Sequence, residues 1–421
     1  MGIRFVRWWT ALALVLALLG AGGALCGEAG GEGIDWNKAR QLVERSRRGE
    51  ALSAEEQAYL DKARAVKQRD TAKQPGVDAS GIDWNKAGQL YRRSQNGQPL
   101  TPEEQAYLDK AKAVKGAGGQ NAPPQITGKE SVGLTPLSDL TGGQKYKEMD
   151  GGLYGGGKNE PPEAQAKLAQ AAAAKIAPLN AQGEPAADGR IVLLAIGMSN
   201  TTQEFSRFKQ LADADPAKSP KLVIVDGAQG GKDAPAWVNS EPVWAEADRR
   251  IKAAGVTPQQ VQVVWLKQAL IGPGRRGEFP AHARELQRDN ETILTMAKTR
   301  YPNLRLAYLS SRIYAGYAVT QLNPEPYAYE SAFSVRWVIE SQMKGKADLD
   351  KAPVALWGPY LWADGTKGRA AGDLMYKRED LAGDGTHPSQ SGRQKVAELL
   401  LKFFKADPYA KGWFLKPAGQ P

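Results

Sequence analysis

From Arg190 onward, short apolar runs alternate with longer stretches in which apolar residues recur every three or four positions. The runs are Ile191–Ile196, Lys221–Val225, Val261–Trp265, Leu304–Leu309 and Val354–Trp357. They are rich in Val, Ile and Leu and carry little of the in–out alternation of a half-exposed strand. Strands covered on both faces read this way. Helical periodicity falls between the runs, at about 202–212, 241–253, 280–299 and 328–343, and again near 389–404. In the last stretch Val396, Leu399, Leu400 and Phe403 share one face. This alternation predicts an α/β domain over 190–408: a three-layer, doubly wound α/β/α arrangement around a five-stranded, mostly parallel sheet. In such sheets, ligands sit at the carboxyl ends of the strands.

The front of the chain follows another pattern, written twice. Gly-Ile-Asp-Trp-Asn-Lys-Ala stands at 33–39 and again at 81–87, and Glu-Gln-Ala-Tyr-Leu-Asp-Lys-Ala stands at 56–63 and 104–111. Each copy predicts a helical hairpin, over 33–68 and 81–116. Asp35 and Asp83 are placed to cap the first helix, whose inner face is Trp36, Ala39 and Leu42 in one copy and Trp84, Ala87 and Leu90 in the other. Gly49 and Gly97 fall where a glycine ends that helix. Ser53-x-x-Glu56 and Thr101-x-x-Glu104 have capping-box spacing, with Pro102 at the first helical position. Tyr59, Ala63 and Val66, and Tyr107, Ala111 and Val114, form the apolar stripe of the second helix. Two readings stay open for the pair: modules that dock a cell-envelope polymer, a protein or the substrate, and a spacer that holds the next domain off a surface. Residues 117–189 read as linker and lead-in. They include Gly151–Gly157, which lacks the Lys-Ser/Thr of a phosphate loop, and an Ala-rich helical stretch over Pro161–Ala177.

Residues 1–26 read as a signal peptide. Arg4 and Arg7 precede an apolar run, Trp8–Leu19, too short to span a bilayer comfortably. Small residues then lead to a cut near Ala24-Leu25-Cys26. Export to the periplasm or the exterior is the expectation. Lipid anchoring at Cys26 fits the order Gly23-Ala24-Leu25-Cys26 less well, and a retained N-terminal anchor is a third reading.

Composition narrows the chemistry. A single cysteine excludes an intramolecular disulfide scaffold and thiolate-rich zinc sites. The two histidines, His282 and His387, exclude a His-rich metal centre and leave two candidates for any imidazole chemistry. A mean hydropathy of -0.48 excludes a polytopic membrane protein. The net charge of +10 is scattered among acidic residues and carries no nucleic-acid motif. It leans toward anionic envelope polymers or acidic glycans.

Four segments at the predicted strand ends carry reactive groups: Gly197-Met198-Ser199-Asn200, Asp226 to Gly231, Leu266-Lys267-Gln268-Ala269 and Asp384-Gly-Thr-His387. Nucleophilic catalysis needs a hydroxyl, a base to take its proton, a carboxylate to orient the base, and donors for the developing oxyanion. Ser199 at a strand-to-helix turn offers the hydroxyl. The Asp384–His387 spacing puts carboxylate and imidazole within one turn. Gly231 offers a backbone N–H, and Gln268 a side-chain amide. Taken singly, Ser199 also reads as a helix N-cap and Asp384-Gly385 as a plain turn. His282, in Glu278-Phe-Pro-Ala-His-Ala-Arg284, lacks a neighbouring carboxylate motif and reads as a surface or satisfied residue.

With these blocks in order, residues 190–405 resemble the SGNH/GDSL hydrolase superfamily, in its secreted-esterase branch. The first block resembles the Gly-Asp-Ser motif, with Met198 in place of Asp, and Asp384-x-x-His387 matches the last block. The resemblance implies that Ser199 is the nucleophile, His387 the general base and Asp384 its orienter. It further implies that the N–H groups of Ser199 and Gly231 line the oxyanion hole, with Gln268 where the family has Asn. Asn200 is an alternative to Gln268 as third donor, and Asn200, Arg312 and Trp362 are candidates for contact with substrate; an ion pair is the plainer role for Arg312, and packing is the plainer role for Trp357 and less so for Trp362. No metal or cofactor is implied. The expected activity is hydrolysis of acyl esters, acetyl above all, on a carbohydrate. The alternative is a non-catalytic envelope or glycan-binding protein with a degenerate SGNH domain, which the departures at Met198 and Gln268 favour.

Overall fold

A computed structural model describes residues 129–345 and 350–417, residues 52–72, and scattered positions of the front segment between 35 and 111. The expected signal peptide, Trp36, Trp84, Gly49, Gly97, Pro102 and Val114 lie outside the described residues. The chain divides into two compact units, 1–123 and 124–421.

In the front unit the repeated sequence makes repeated contacts. The N–H of Lys38 donates to Asp35 Oδ1 at 3.2 Å, and that of Lys86 to Asp83 Oδ1 at 3.1 Å. These aspartates satisfy donors that a helix start leaves open. Both capping boxes are closed. Glu56 N–H donates to Ser53 Oγ while Ser53 N–H donates to Glu56 Oε2, and Thr101 and Glu104 do the same. Ser53 precedes helix α1 (Ala54–Ala72). Ala39, Leu42, Leu60 and Ala63 are buried, as are Ala87, Leu90, Leu108 and Ala111. Tyr59 and Tyr107 fasten each hairpin. Each hydroxyl accepts an N–H, from Asp35 or Asp83, at 2.7 Å. Each ring lies under a lysine, Lys38 at 4.7 Å and Lys86 at 4.5 Å.

The second unit is built on a five-stranded sheet. Its strands are β3 (Ile191–Gly197), β4 (Leu222–Asp226), β5 (Val261–Lys267), β6 (Leu306–Leu309) and β7 (Val354–Trp357). Strands β1 (Lys145–Tyr146) and β2 (Met149–Asp150) form a separate two-residue ladder upstream. The spatial order is β4-β3-β5-β6-β7, and every pairing is parallel. β3, β5, β6 and β7 are buried along their whole length, as runs without polar alternation require. The chain starts at β3, steps outward to β4 and returns past β3 to β5. That reversal makes the carboxyl ends of β3 and β5 the topological switch point, where open α/β sheets place their sites.

Helices flank the sheet. They include α2 (Glu163–Ala173), α3 (Ser199–Ala214), α4 (Ala234–Asn239), α5 (Glu241–Ala253), α6 (Ala281–Arg300), α7 (Tyr327–Met343), α8 (Gln390–Ala406) and α9 (Lys411–Phe414). Helix α3 packs on α8, and α6 on α7. The α3–α8 seam is aromatic. Phe205 stacks on Trp265 of β5 at 5.4 Å, while Phe208 meets Phe404 at 5.5 Å and Phe414 at 6.3 Å. All five rings are essentially buried. Among the described residues no helix is long and apolar enough to cross a membrane.

The lead-in belongs to this unit. Leu137, Leu140, Tyr154 and Ala169 join the same core as the sheet. The segment lies along the edge strand. Leu137 N–H donates to Tyr360 Oη at 3.0 Å, and Trp357 Nε1 to the Leu153 carbonyl at 2.6 Å. Unpaired backbone on an edge strand must find partners or water. On β7, the Ala355 carbonyl accepts Gln165 Nε2 at 2.9 Å, and the Ala355 N–H donates to Gln342 Oε1 at 2.8 Å. Two buried glutamines thus close the edge. Beyond α8, Trp413 and Phe414 are also buried in this core, past the expected end at 408.

Phe404 is wholly buried among Phe208, Tyr308, Trp413 and Phe414. Phe404→Ala is expected to lower unfolding stability by about 3–5 kcal/mol, measured by urea unfolding with an unchanged m-value.

Candidate active site

The turn from β3 into α3 starts with a glycine that has no room for a side chain. A Cβ on Gly197 would lie 2.4 Å from both the Lys267 carbonyl oxygen and Thr201 Oγ1. The Gly197 carbonyl accepts the Gln229 N–H at 3.0 Å and Trp237 Nε1 at 3.1 Å. Thr201 Oγ1 donates to the Lys267 carbonyl at 2.7 Å. Helix α3 is therefore fixed against the end of β5. Ser199 is its first residue, and Met198 holds the cap position.

The loop after β4 is held to the same helix. Asp226 accepts Thr202 Oγ1 at 2.5 Å, Ser206 Oγ at 2.6 Å and the Ala228 N–H at 3.1 Å. Burial pushes its carboxyl up from the usual range, against the lowering effect of those bonds. Gly231 sits at φ +71, a conformation that favours glycine. Among the described residues, the N–H groups of Ser199 and Gly231 donate to no acceptor within the chain.

The loop before α8 brings the third group. Ser199 Oγ lies 2.7 Å from His387 Nε2, and His387 Nδ1 lies 2.5 Å from Asp384 Oδ2. Asp384 Oδ1 accepts the N–H groups of Thr386 and His387, each at 3.0 Å. Burial would raise the Asp384 carboxyl. The His387 imidazole and the two backbone donors outweigh it and hold the group well below the usual carboxylate range. Asp384 is thus ionised and fixes the imidazole, with Nδ1 toward the carboxylate and Nε2 toward the hydroxyl. Ser389 then caps α8, accepting the Gly392 N–H.

Ser199 and His387, but not Asp384, open onto a cavity of about 200 Å³ at the strand ends. Its wall includes Ser199, His387, Asn200, Gly231 and Arg312, with apolar surface from Met198, Leu270, Ile271 and Leu322. Asn200 Nδ2 donates to the Thr386 carbonyl at 3.0 Å, so this side chain ties the helix start to the histidine loop. Arg312 Nη2 donates to the same carbonyl at 3.1 Å.

Two expected residues stand elsewhere. Gln268 is buried but does not line the cavity, and neither of its amide atoms has a hydrogen-bond partner. Trp362 is buried in the core behind the site. Its Nε1 donates to Glu325 Oε1 at 2.7 Å, and its ring packs on Tyr329 at 4.8 Å, so it offers no sugar platform. His282 is no surface residue: it is 3% exposed, and its Nε2 lies 2.8 Å from Glu330 Oε2.

Sequence reasoning missed the charges behind the site. Lys267 and Glu204 form a fully buried ion pair between the end of β5 and helix α3. Burial pulls the Lys267 ammonium down to about 8, with Glu204 pushing it up and Arg312 pushing it down. A lysine closing an apolar run was the available signal. Glu325 is half-buried. It accepts N–H groups from Ala315, Tyr329 and Trp362 at 2.7–3.0 Å. Burial outweighs these bonds and pushes its carboxyl up to about 7. Among the described residues no group of three or more His, Cys, Asp or Glu side chains is placed to hold a metal ion.

No protein-family model and no curated protein matches the chain. Solved structures do. The lipase Lip_vut3 from a goat rumen metagenome is 15% identical, with 50% of this chain and 96% of that chain covered and a TM-score of 0.30. A Bacteroides fragilis protein assigned as an acylhydrolase is 11% identical, with 58% and 97% covered and a TM-score of 0.31. The Bacillus subtilis protein YXIM is 12% identical, with 53% and 57% covered and a TM-score of 0.31. Likeness at this level leaves the reading of the site to its own geometry.

The raised Glu325 carboxyl has a stability consequence. The folded protein holds a proton there that the unfolded chain releases near pH 4.5, so this contribution is full below 4.5 and is lost as pH rises to about 7. Glu325→Gln is expected to remove that decline. Unfolding free energies of wild type and variant, measured from pH 4 to 8, should differ in slope between those limits and run parallel above.

Proposed function

We propose that residues 124–421 form a serine ester hydrolase of SGNH type, acting by a Ser-His-Asp mechanism on short acyl esters. The observation that carries this reading is the hydrogen-bonded chain Ser199–His387–Asp384 beside a small cavity at the switch point of the sheet. In the proposed reaction, Ser199 Oγ bonds to the ester carbonyl carbon as His387 Nε2 takes its proton. Asp384 holds the imidazole in the tautomer that leaves Nε2 free to accept, and stabilises the imidazolium that follows. The carbonyl electron pair becomes an oxyanion, met by the N–H groups of Ser199 and Gly231. Collapse expels the alcohol, which takes the proton back from His387. Water then attacks the acyl-serine by the same route and frees the acid.

A cavity of about 200 Å³ with apolar walls suits an acetyl group or a slightly longer acyl chain. Export, suggested by Arg4, Arg7 and the apolar run after them, and a net charge of +10 favour a carbohydrate of the cell envelope or its surroundings as the alcohol. The hairpin repeats would dock an envelope polymer or protein near the enzyme. No cofactor is required by this chemistry.

Purified protein is expected to hydrolyse p-nitrophenyl acetate, and Ser199→Ala to lose at least about 10³-fold in kcat with an unchanged thermal midpoint. Acetyl and butyryl esters should outrun the octanoyl ester in kcat/KM. Absence of wild-type hydrolysis, or its survival in Ser199→Ala, would sink the assignment. Released acetate from a panel of acetylated polysaccharides tests the carbohydrate substrate.

A further inference from the structure

One buried cation in the cavity wall is unaccounted for by the triad. Arg312, in the loop after β6, is 1% exposed. A guanidinium taken out of water is costly unless it is paired. Yet among the described residues no carboxylate lies within ion-pair distance of it, contrary to the ordinary salt bridge expected for this residue. Glu204, Glu325 and Asp384 act on it only at longer range.

Its contacts place it at the reacting groups. Nη2 donates to the carbonyl of Thr386, the residue before His387. Nη1 lies 3.8 Å from the sulfur of Met198, the residue before Ser199. The guanidinium therefore spans the flanks of both base and nucleophile. Nε has no acceptor, although it is buried. Of five N–H donors, two are engaged, and the side chain borders the cavity.

The other side-chain amides are off the wall or partly engaged elsewhere, and none carries a charge. Gln268 is outside the cavity wall. Asn200 donates to Thr386, and Asn323 to the Leu270 carbonyl at 3.1 Å. Resting on the ester-hydrolase reading above, we propose that Arg312 is the third member of the oxyanion hole, supplying N–H donors and a fixed positive charge in place of the side-chain amide. When Ser199 Oγ bonds to the acyl carbon, the carbonyl pair moves onto oxygen and the proton goes to His387. The new negative charge then sits among the Ser199 N–H, the Gly231 N–H and the guanidinium. Positive charge at such a position stabilises the transition state more than the neutral ester.

The test uses the full chain and four proteins: wild type, Arg312→Met, Arg312→Lys and Gln268→Met. Two esters serve as probes, neutral p-nitrophenyl acetate and the anionic mono-p-nitrophenyl succinate. Methylboronic acid, which forms a tetrahedral anion on a reactive serine, reports oxyanion binding by boron NMR. Arg312→Met is expected to lose about 10²–10³-fold in kcat on both esters, with KM nearly unchanged and boronate affinity falling in parallel. Arg312→Lys should keep the charge at shorter reach and fall between, and it carries the test if the Met variant does not fold. Gln268→Met should stay close to wild type. A loss confined to the anionic ester would overturn the proposal, since Arg312 would then read substrate charge. So would an unchanged kcat in folded Arg312 variants, or a loss in Gln268→Met that matches the Arg312 effect. If wild type cleaves neither ester and forms no boronate adduct, it is the ester-hydrolase reading that fails.

Discussion

The site depends on one close approach, the packing of Gly197 against the end of β5. The glycine has no Cβ, so the Lys267 carbonyl and Thr201 come within a distance that a side chain would occupy. Its carbonyl anchors the Gln229 and Trp237 donors of the neighbouring loop and helix. One residue therefore sets the position of α3, and with it Ser199, relative to the Gly231 loop. A larger residue would drive the helix from the strand and separate the hydroxyl from the backbone donors. The turn has no slack because β3 lies between β4 and β5 and is wholly buried. The α3–α8 aromatic seam holds the far end of the helix in the same way.

Around this frame the structure keeps charge where the sheet would favour apolar surface. Lys267 and Glu204 pair in full burial, and a buried pair stabilises little over apolar residues of similar volume. Arg312 is buried and Glu325 half-buried, and the two form no pair. The apolar burial of five strands and their helices has to offset these ions. Asp384 is the contrast. It is partly exposed, bound by three donors and easily kept ionised. The negative charge of Asp384 thus sits near solvent, while Arg312, a cation without a paired carboxylate among the described residues, lies deeper in the cavity wall. Such a gradient suits a reaction that builds negative charge on an oxygen inside the cavity.

Much of this was legible in the chain because it is local. Buried parallel strands write themselves as apolar runs, and all five were visible. Lys267 hid the end of β5, where an ion pair extends the strand past its apolar part. The Asp384–His387 contact is a matter of three residues, and Ser199 stands at a strand-to-helix turn. The hairpins were legible through their duplication, down to the capping boxes. What stayed hidden depends on distant partners. Trp362 turns inward to Glu325, and His282 to Glu330, neither of which a short window contains. Arg312 stood out at a strand end as a substrate contact or an ion-pair partner, but its burial and the missing carboxylate depend on distant packing. Gln268 follows the last residue of β5, and its direction is decided by packing that no spacing records.

In the proposed reaction His387 makes Ser199 nucleophilic. Covalent labelling tests it most directly. A fluorophosphonate probe, followed by peptide mass spectrometry, should modify the protein once, on the peptide that carries Ser199, with no label in the Ser199→Ala and little in the His387→Ala variant. Labelling at another residue, or none at all in folded wild-type protein, would contradict the account.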